Sequence, residues 1–285
     1  RNHLFQAVSQ WIRDFDIDGL RLDVAYLLDQ SFLNELTGVC KREKDDFIFI
    51  GEVIHGNYTQ FTGRNLCTTV TNYECFKGIY SAHNDKNLFE IAHSLDRQFG
   101  PGGLYNGLPL YNFLDNHDVA RISSLVYELA HIHTAYVLLF SMPGIPSVYY
   151  GSEWGIQGKK NSSGDHELRP AREQISALKK DQSILRTIKT MSVLRKRYPA
   201  LCYGDFSIVF IKSEQMAFMR KLNDEVIIVI INICNEMVNL CFPFHRKGIF
   251  IDVLNNHEQF SVKNGIVSVR IFSNWAGIYV FQSDV

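Results

Sequence analysis

Four apolar residues in succession, Phe47-Ile48-Phe49-Ile50, lead into Gly51-Glu52. A strand with one wet face alternates apolar and polar side chains. An unbroken run suits a strand buried on both faces, as in a parallel sheet. The flanking sequence agrees. Leu4, Phe5, Val8, Trp11 and Ile12 recur at helical spacing and predict an amphipathic helix over 2–14. A short strand is predicted at about 17–23. Phe32, Leu33, Leu36, Val39 and Cys40 then predict a second helix, ending in the charged face Lys41-Arg42-Glu43-Lys44. Helix, strand, helix, strand is the rhythm of a wound sheet or barrel.

Residues 53–110 read as less regular, with a short strand at Thr68-Thr69-Val70 and a loop at Gly100-Pro101-Gly102-Gly103. Tyr111-Asn112-Phe113-Leu114 predicts a strand running into Asp115-Asn116-His117-Asp118. An apolar helix follows, with Ala135 to Phe140 at its end. Pro143 and Pro146 bracket a turn, and Ser147-Val148-Tyr149-Tyr150 predicts another strand. The polar stretch 151–171 is too long for a simple connector, and loops of that length are often functional. Ile184, Leu185, Ile188, Met191 and Leu194 mark a last helix, closed by Tyr198-Pro199. Beyond about 200 the texture changes to short runs rich in Val, Ile and Phe: 206–211, 216–220, 226–233, 248–254, 266–271 and 277–281. Asn223-Asp224, Asn255-Asn256 and Asn264-Gly265 supply turns between them. The expected organisation is an α/β domain over 1–199 and a small antiparallel β domain over 200–285.

A net charge of -1 gives no electrostatic case for nucleic acid or an anionic membrane. No apolar run reaches the roughly 18 residues of a membrane span, and no signal peptide is visible at the start. The six cysteines show neither a C-x-x-C pair nor zinc spacing. They are expected to be reduced core residues, which favours a cytoplasmic home. The chain opens at Arg1 directly into an apparent helix, so it is expected to be part of a longer polypeptide.

Three predicted strand ends each present an acid: Asp23, Glu52 and Asp118. Side chains two apart on a strand share a face, so Arg21 and Asp23 point the same way. A neighbouring cation favours the ionised carboxylate, and such a carboxylate is a candidate nucleophile; a structural ion pair accounts for the pattern equally well. In a parallel barrel the C-terminal strand ends converge on the active-site face. An ionised acid beside a protonated one is the pair that glycoside hydrolysis requires. In retaining enzymes the two carboxyls sit about 5–5.5 Å apart.

At these residues the chain resembles glycoside hydrolase family 13, the alpha-amylase family. Asp18-Gly19-Leu20-Arg21-Leu22-Asp23-Val24-Ala25 is similar to its nucleophile motif and Ile50-Gly51-Glu52 to its acid/base motif. Phe113-Leu114-Asp115-Asn116-His117-Asp118 is similar to its third-acid motif. Pro143-Gly144-Ile145-Pro146 and Tyr149-Tyr150-Gly151-Ser152-Glu153 fit the approach to the eighth strand and the loop after it. The resemblance implies a partial (β/α)8 TIM barrel, strands four to eight, followed by an antiparallel β-sandwich. It implies cleavage of α-glucosidic bonds in maltodextrins with retention. Asp23 would be the nucleophile, Glu52 the acid and then base, and Asp118 the acid that holds the distorted sugar. Arg21 would orient Asp23, and His117 would hydrogen-bond the same sugar. Asp165 and Arg169 resemble residues that contact sugar beyond the cleavage point; a surface salt bridge is the alternative.

The resemblance also marks departures. Tyr26-Leu27 stands where typical alpha-amylases have Lys-His and where cyclodextrin- and pullulan-degrading relatives have Asn-Glu. The first three strands are absent, together with a motif carrying a calcium-linked asparagine. No cofactor is therefore expected of this stretch, and calcium is a candidate only for a full-length parent. A barrel lacking three strands would expose open sheet edges, so residues 1–285 alone are expected to be inactive unless the missing half is supplied. The partner is an α-glucan oligosaccharide, with oligomeric state open. Transglycosylation, and a non-catalytic glucan-binding or assembly subunit, are the alternatives.

Smaller features carry less. Tyr73, Tyr105, Tyr111 and Trp154 could equally stack on sugar or pack. Arg121 is expected to fix a loop. His131-Ile132-His133 lacks the spacing of a helical zinc pair. Asn57-Tyr58-Thr59 and Asn161-Ser162-Ser163 are formal glycosylation sequons without meaning in a cytoplasmic protein.

Overall fold

The computed structural model describes residues 1–162, 164–178 and 182–284. They gather into two compact units: Arg1–Glu74 with Gly107–Tyr111, and Cys75–Asn106 with Asn112–Val285.

The first unit alternates helix and strand. Its elements are α1 (Asn2–Phe15), β1 (Gly19–Leu22), α2 (Gln30–Glu43), β2 (Ile48–Gly51) and β3 (Thr69–Val70). Asp16 ends α1 in the left-handed region. Asp29 caps α2 by accepting the Phe32 amide at 2.9 Å. The two helices meet through stacked Phe5 and Phe32 rings, 5.6 Å apart. Lys44 grips Asp16 and Asp18 at 2.8 and 2.6 Å, fixing the approach to β1. The strands form a parallel sheet in the order β1-β2-β3, with Gly19 opposite Ile48 and Leu22 opposite Gly51. Gly19 is required by that closeness, because a Cβ there would lie 2.5 Å from the Ile48 carbonyl oxygen.

The pairing is parallel, as the apolar run implied, but the expected burial of both faces of β2 is not found. Phe49 is 1% exposed and Ile48 is 42% exposed. Phe47 and Phe49 pack edge to face on one side, at 5.3 Å, whereas Ile48 opens the strand at its exposed end. Parallel pairing satisfies backbone groups and leaves the burial of the second face to other elements.

The second unit begins with α3 (Tyr73–Asn84, its first turn in the other unit) and α4 (Phe89–Phe99). Both lie in the stretch expected to be irregular. The buried face of α3 includes Cys75, Gly78, Ala82 and His83 beside Phe76 and Ile79, and these small or polar residues dilute the helical hydrophobic signal. Gly78 permits close contact with α4: a Cβ there would meet Ile91 at 3.2 Å. The unit continues through β4 (Tyr111–Phe113), α5 (Ile122–Leu125), α6 (His131–Ser141), β5 (Ile145–Ser147), α7 (Arg172–Leu178), α8 (Ser183–Arg197) and α9 (Pro199–Tyr203). β4 and β5 pair.

The strand expected at 147–150 lies earlier. Ile145–Ser147 forms the ladder, so Pro146 is inside the strand and not at a turn. Tyr149 and Tyr150 leave the ladder because the Arg121 guanidinium claims them: it sits 4.0 and 5.2 Å from their ring centroids and donates to the Tyr150 carbonyl at 2.6 Å.

The rest is antiparallel: β6 (Asp205–Ile211), β7 (Gln215–Leu222), β8 (Glu225–Asn232), β9 (Val238–Pro243), β10 (Gly248–Asp252), β11 (Gln259–Ser261), β12 (Ile266–Ile271) and β13 (Trp275–Ser283). Six strands run in the order β11-β10-β13-β8-β7-β6, and β12 pairs with β9. Ile228, Ile230, Phe242, Phe250, Val267 and Tyr279 share one core between these sheets. Asn223 turns β7 into β8 with φ 52, a conformation that asparagine tolerates better than most residues. The sequence pattern missed β9 and β11. β9 alternates buried Leu240 and Phe242 with outward Asn239 and Cys241, and β11 is three residues long.

All six cysteines are free. Cys40, Cys67 and Cys75 are buried as expected, but Cys202 and Cys234 are half-buried and Cys241 is exposed, so the set is not wholly a core set. Among the described residues no helix is long and apolar enough to cross a membrane.

Candidate active site

The register Leu22 opposite Gly51 sets the first cluster, because Asp23 and Glu52 are the next residues on two paired parallel strands. Arg21 joins them. Its Nη1 donates to Asp23 Oδ1 and its Nη2 lies 3.2 Å from Glu52 Oε2. The two acids sit in different surroundings: the Asp23 side chain is 71% exposed and that of Glu52 only 8%. Glu52 is held from several sides. Its amide donates to the Leu22 carbonyl at 2.9 Å, and its Oε2 accepts the Val24 amide at 2.9 Å. The Tyr73 hydroxyl lies 3.3 Å from its Oε1. Val24, directly after Asp23, has φ 45. Beyond it the rings of Tyr26 and His55 meet at 5.5 Å, and Leu27 is exposed. An exposed carboxylate and an enclosed one on a shared guanidinium can divide the work of attack and proton transfer.

The second cluster lies in the other unit. After β4, the Asn116 side chain accepts the amides of Asp118 and Val119 at 2.8 and 3.1 Å, a local turn that presents Asp118. His117 Nε2 lies 3.0 Å from Asp118 Oδ2, and Arg169 Nη2 lies 3.2 Å from Oδ1. Arg169 also pairs with Asp165 at 2.9 Å and donates from Nε to the His117 carbonyl at 3.2 Å. His117, Asp118, Asp165 and Arg169 are thus one cluster, half exposed to solvent. The structure brings Arg21, Asp23 and Glu52 together in one unit and these four together in the other.

Buried groups brace this second cluster. Arg121 is fully buried and donates to the Tyr150 carbonyl, Ser152 Oγ and the Leu168 carbonyl at 2.6, 3.0 and 2.6 Å. Asp115 accepts the Ile122 amide at 2.8 Å and the Ser152 hydroxyl at 2.7 Å. Burial pushes the Asp115 carboxyl above its ordinary value, and these two donors oppose the shift. Sequence reasoning did not single out Asp115, although an acid immediately after an apolar strand was a signal. Nor did it single out Val24, whose backbone conformation leaves no mark in the sequence.

Tyr105 is buried, which removes it from the sugar-stacking candidates; Tyr111 and Trp154 are half-buried. His131 bonds the Ile233 carbonyl and Asn274 at 3.1 Å each. Asn57 caps a short turn by accepting the Thr59 amide at 3.1 Å. The sequon Asn161-Ser162-Ser163 lies partly outside the described residues. Among the described residues no group of three His, Cys, Asp or Glu could hold a metal ion.

The profile of the alpha-amylase catalytic domain matches residues 1–187. The chain belongs to the alpha-amylase family. Among its relatives is a cyclomaltodextrinase of Geobacillus thermopakistaniensis, 26% identical over 99% of this chain and 48% of its own length. Another is a maltogenic alpha-amylase of Bacillus acidopullulyticus, 25% identical over 93% of this chain and 45% of its own length. The chain spans about half the length of the curated relatives it matches. Among solved structures, an alpha-amylase from Geobacillus thermoleovorans complexed with acarbose superposes with a TM-score of 0.87. It is 24% identical and is matched over all of this chain and 64% of that one. A cyclomaltodextrin glucanotransferase with a three-domain ABC distribution gives 0.83 at 23% identity, over all of this chain and 60% of that one. These likenesses establish an alpha-amylase fold with a C-terminal antiparallel sheet region.

Proposed function

We propose that this chain carries the chemistry of a retaining glycosidase acting on the α-glucosidic bonds of maltodextrins. The observation that carries the reading is Arg21 spanning Asp23 and Glu52 at the ends of two paired parallel strands. In this reading Asp23 attacks the anomeric carbon while Glu52 protonates the leaving oxygen. Water, deprotonated by Glu52, then releases the sugar from Asp23 with its configuration retained. Asp118 and His117 grip the sugar at the cleavage point, and Asp165 and Arg169 contact sugar beyond it. The five strands β1 to β5 are the barrel's fourth to eighth, residues 1–199 are the catalytic domain part, and 200–285 are a C-terminal β-sandwich.

The relatives' names, cyclomaltodextrinase and maltogenic alpha-amylase, support a maltodextrin or cyclic maltodextrin substrate. A glucanotransferase among the structural likenesses keeps transfer to a sugar hydroxyl as the second reading. Six free cysteines and an intracellular maltogenic amylase of Bacillus subtilis among the relatives support a cytoplasmic home. Calcium remains a candidate for a full-length parent; among the described residues no group of three His, Cys, Asp or Glu could hold it.

The test uses the full-length protein, with Asp23→Asn and Glu52→Gln, on malto-oligosaccharides and cyclic maltodextrins, following products by chromatography and anomeric form by NMR. The wild type is expected to release α-anomeric products. Asp23→Asn should abolish this, and Glu52→Gln should reduce turnover by about 10²–10⁴-fold. Products longer than the substrate would favour transfer. A folded wild type without turnover would favour a glucan-binding subunit.

A further inference from the structure

Val24 is β-branched and holds φ 45, ψ 43. For such a residue the left-handed region is a genuine outlier, and it persists only where the surroundings over-determine it. Val24 is fixed at both ends. Its carbonyl accepts the Leu27 amide at 2.9 Å, and its own amide donates to Glu52 Oε2 at 2.9 Å. The next residue, Ala25, is fully buried. This conformation therefore turns the peptide N–H that follows Asp23 toward the other acid. The same Oε2 also faces Arg21 Nη2 at 3.2 Å. An oxygen that already accepts one N–H and has a guanidinium 3.2 Å away is a poor place for the acid's own hydrogen, because the cation opposes a second positive centre there. Oε1 instead has the Tyr73 hydroxyl at 3.3 Å, a group that can both donate and accept.

We propose that Val24 is a positioning residue for Glu52: its left-handed backbone, with Arg21, reserves Oε2 as an acceptor and leaves Oε1 as the oxygen that carries the catalytic proton. Tyr73 orients that proton. The inference rests on the reading of Glu52 as acid and base. In the first step the C1–O bond to the leaving sugar breaks. The Oε1 hydrogen passes to that oxygen, and an electron pair of Asp23 forms the new bond to C1. In the second step a water or sugar hydroxyl gives its proton to Oε1 while its oxygen displaces Asp23 from C1.

The N–H can be deleted without changing shape by replacing Val24 with its α-hydroxy analogue, which makes the Asp23–Val24 link an ester, in the full-length protein. Protonation matters for a sugar leaving group and little for fluoride. The ester should lower kcat/KM, which reports the first step alone, about 10-fold for a malto-oligosaccharide and leave kcat/KM for maltosyl fluoride within about 2-fold. Equal losses on both substrates, or none on either, overturn the proposal while leaving the glycosidase reading intact. A wild type that turns over neither substrate overturns both. A second measurement does not depend on the ester variant folding. In protein labelled with ¹⁵N-valine, the Val24 amide resonance should follow the ionisation of Glu52, and that dependence should vanish in Glu52→Gln. An amide resonance indifferent to Glu52 overturns the proposal.

Discussion

Arg121 Nη2 donates to the main-chain carbonyl of Leu168 at 2.6 Å, joining the segment that carries Asp118 to the segment that carries Arg169. Its other arm reaches the Tyr150 carbonyl and Ser152 Oγ. Removing this guanidinium leaves buried acceptors without donors, each costing about 1–3 kcal/mol. Arg121→Met is therefore expected to destabilise the protein by about 3–5 kcal/mol, measured by denaturant unfolding. Arg121→Lys keeps the charge but loses the fork and should fall between. A Met variant as stable as wild type would show that the brace is unimportant.

Arg169 makes its ion pairs at the surface, with side chains of Asp118 and Asp165 more than a third and about a third exposed. Such pairs contribute about 0–1 kcal/mol. In the full-length protein, Arg169→Ala should leave the melting temperature nearly unchanged and raise KM for a malto-oligosaccharide about 10-fold, because Asp118 loses the partner that fixes its orientation. Steady-state kinetics and thermal unfolding separate the two effects. A large loss of stability would make Arg169 a structural residue.

His83 is enclosed between the Ile79 carbonyl at 2.7 Å and Thr134 Oγ1 at 3.0 Å, with the His131 ring 5.5 Å away. Burial, which penalises the charged imidazolium, pushes its pKa from 6.5 down to about 4. Between those values the unfolded chain binds a proton that the folded protein does not, so stability rises with pH and falls on acidification. The contribution is fully present above pH 6.5 and is lost progressively as pH falls toward about 4, about 3 kcal/mol in all. His83→Gln should flatten this part of the stability–pH curve, measured by urea unfolding at pH 4.5 and 7. An unchanged slope would exclude His83 as its source.

Thiol reactivity should follow burial. Cys241 is exposed on β9, whereas burial pushes the Cys40 and Cys67 thiols up to about 11. Native protein treated with iodoacetamide at pH 8 should be alkylated at Cys241 first. Cys40, Cys67 and Cys75 should react only after denaturation, as read by peptide mass spectrometry. Early modification of Cys67 would mean that its burial is readily lost.

The sequence alone determined what short-range patterning can specify. Helical spacing gave α1, α2 and α8, and the unbroken run 47–50 gave a parallel strand beside β1. Acids placed immediately after apolar strands marked Asp23 and Glu52, since a strand end fixes where the next side chain emerges, whereas Asp118 was marked three residues further on, past Asp115. Patterning failed where burial is shared with small or polar residues, as in α3, and where a strand is short or has one wet face, as in β9 and β11. Only tertiary structure decided which side chains pair. Arg21 could have served Asp23 alone, but the register Leu22 opposite Gly51 also puts Glu52 within its reach. Only tertiary structure turned Val24 into the left-handed region, because the hydrogen bond that goes with that conformation is accepted by a residue 28 positions away. The same holds for Arg121, which removes Tyr149 and Tyr150 from the ladder that their β-propensity favours. Local propensity is a weak term, and a buried cation with specific acceptors outweighs it.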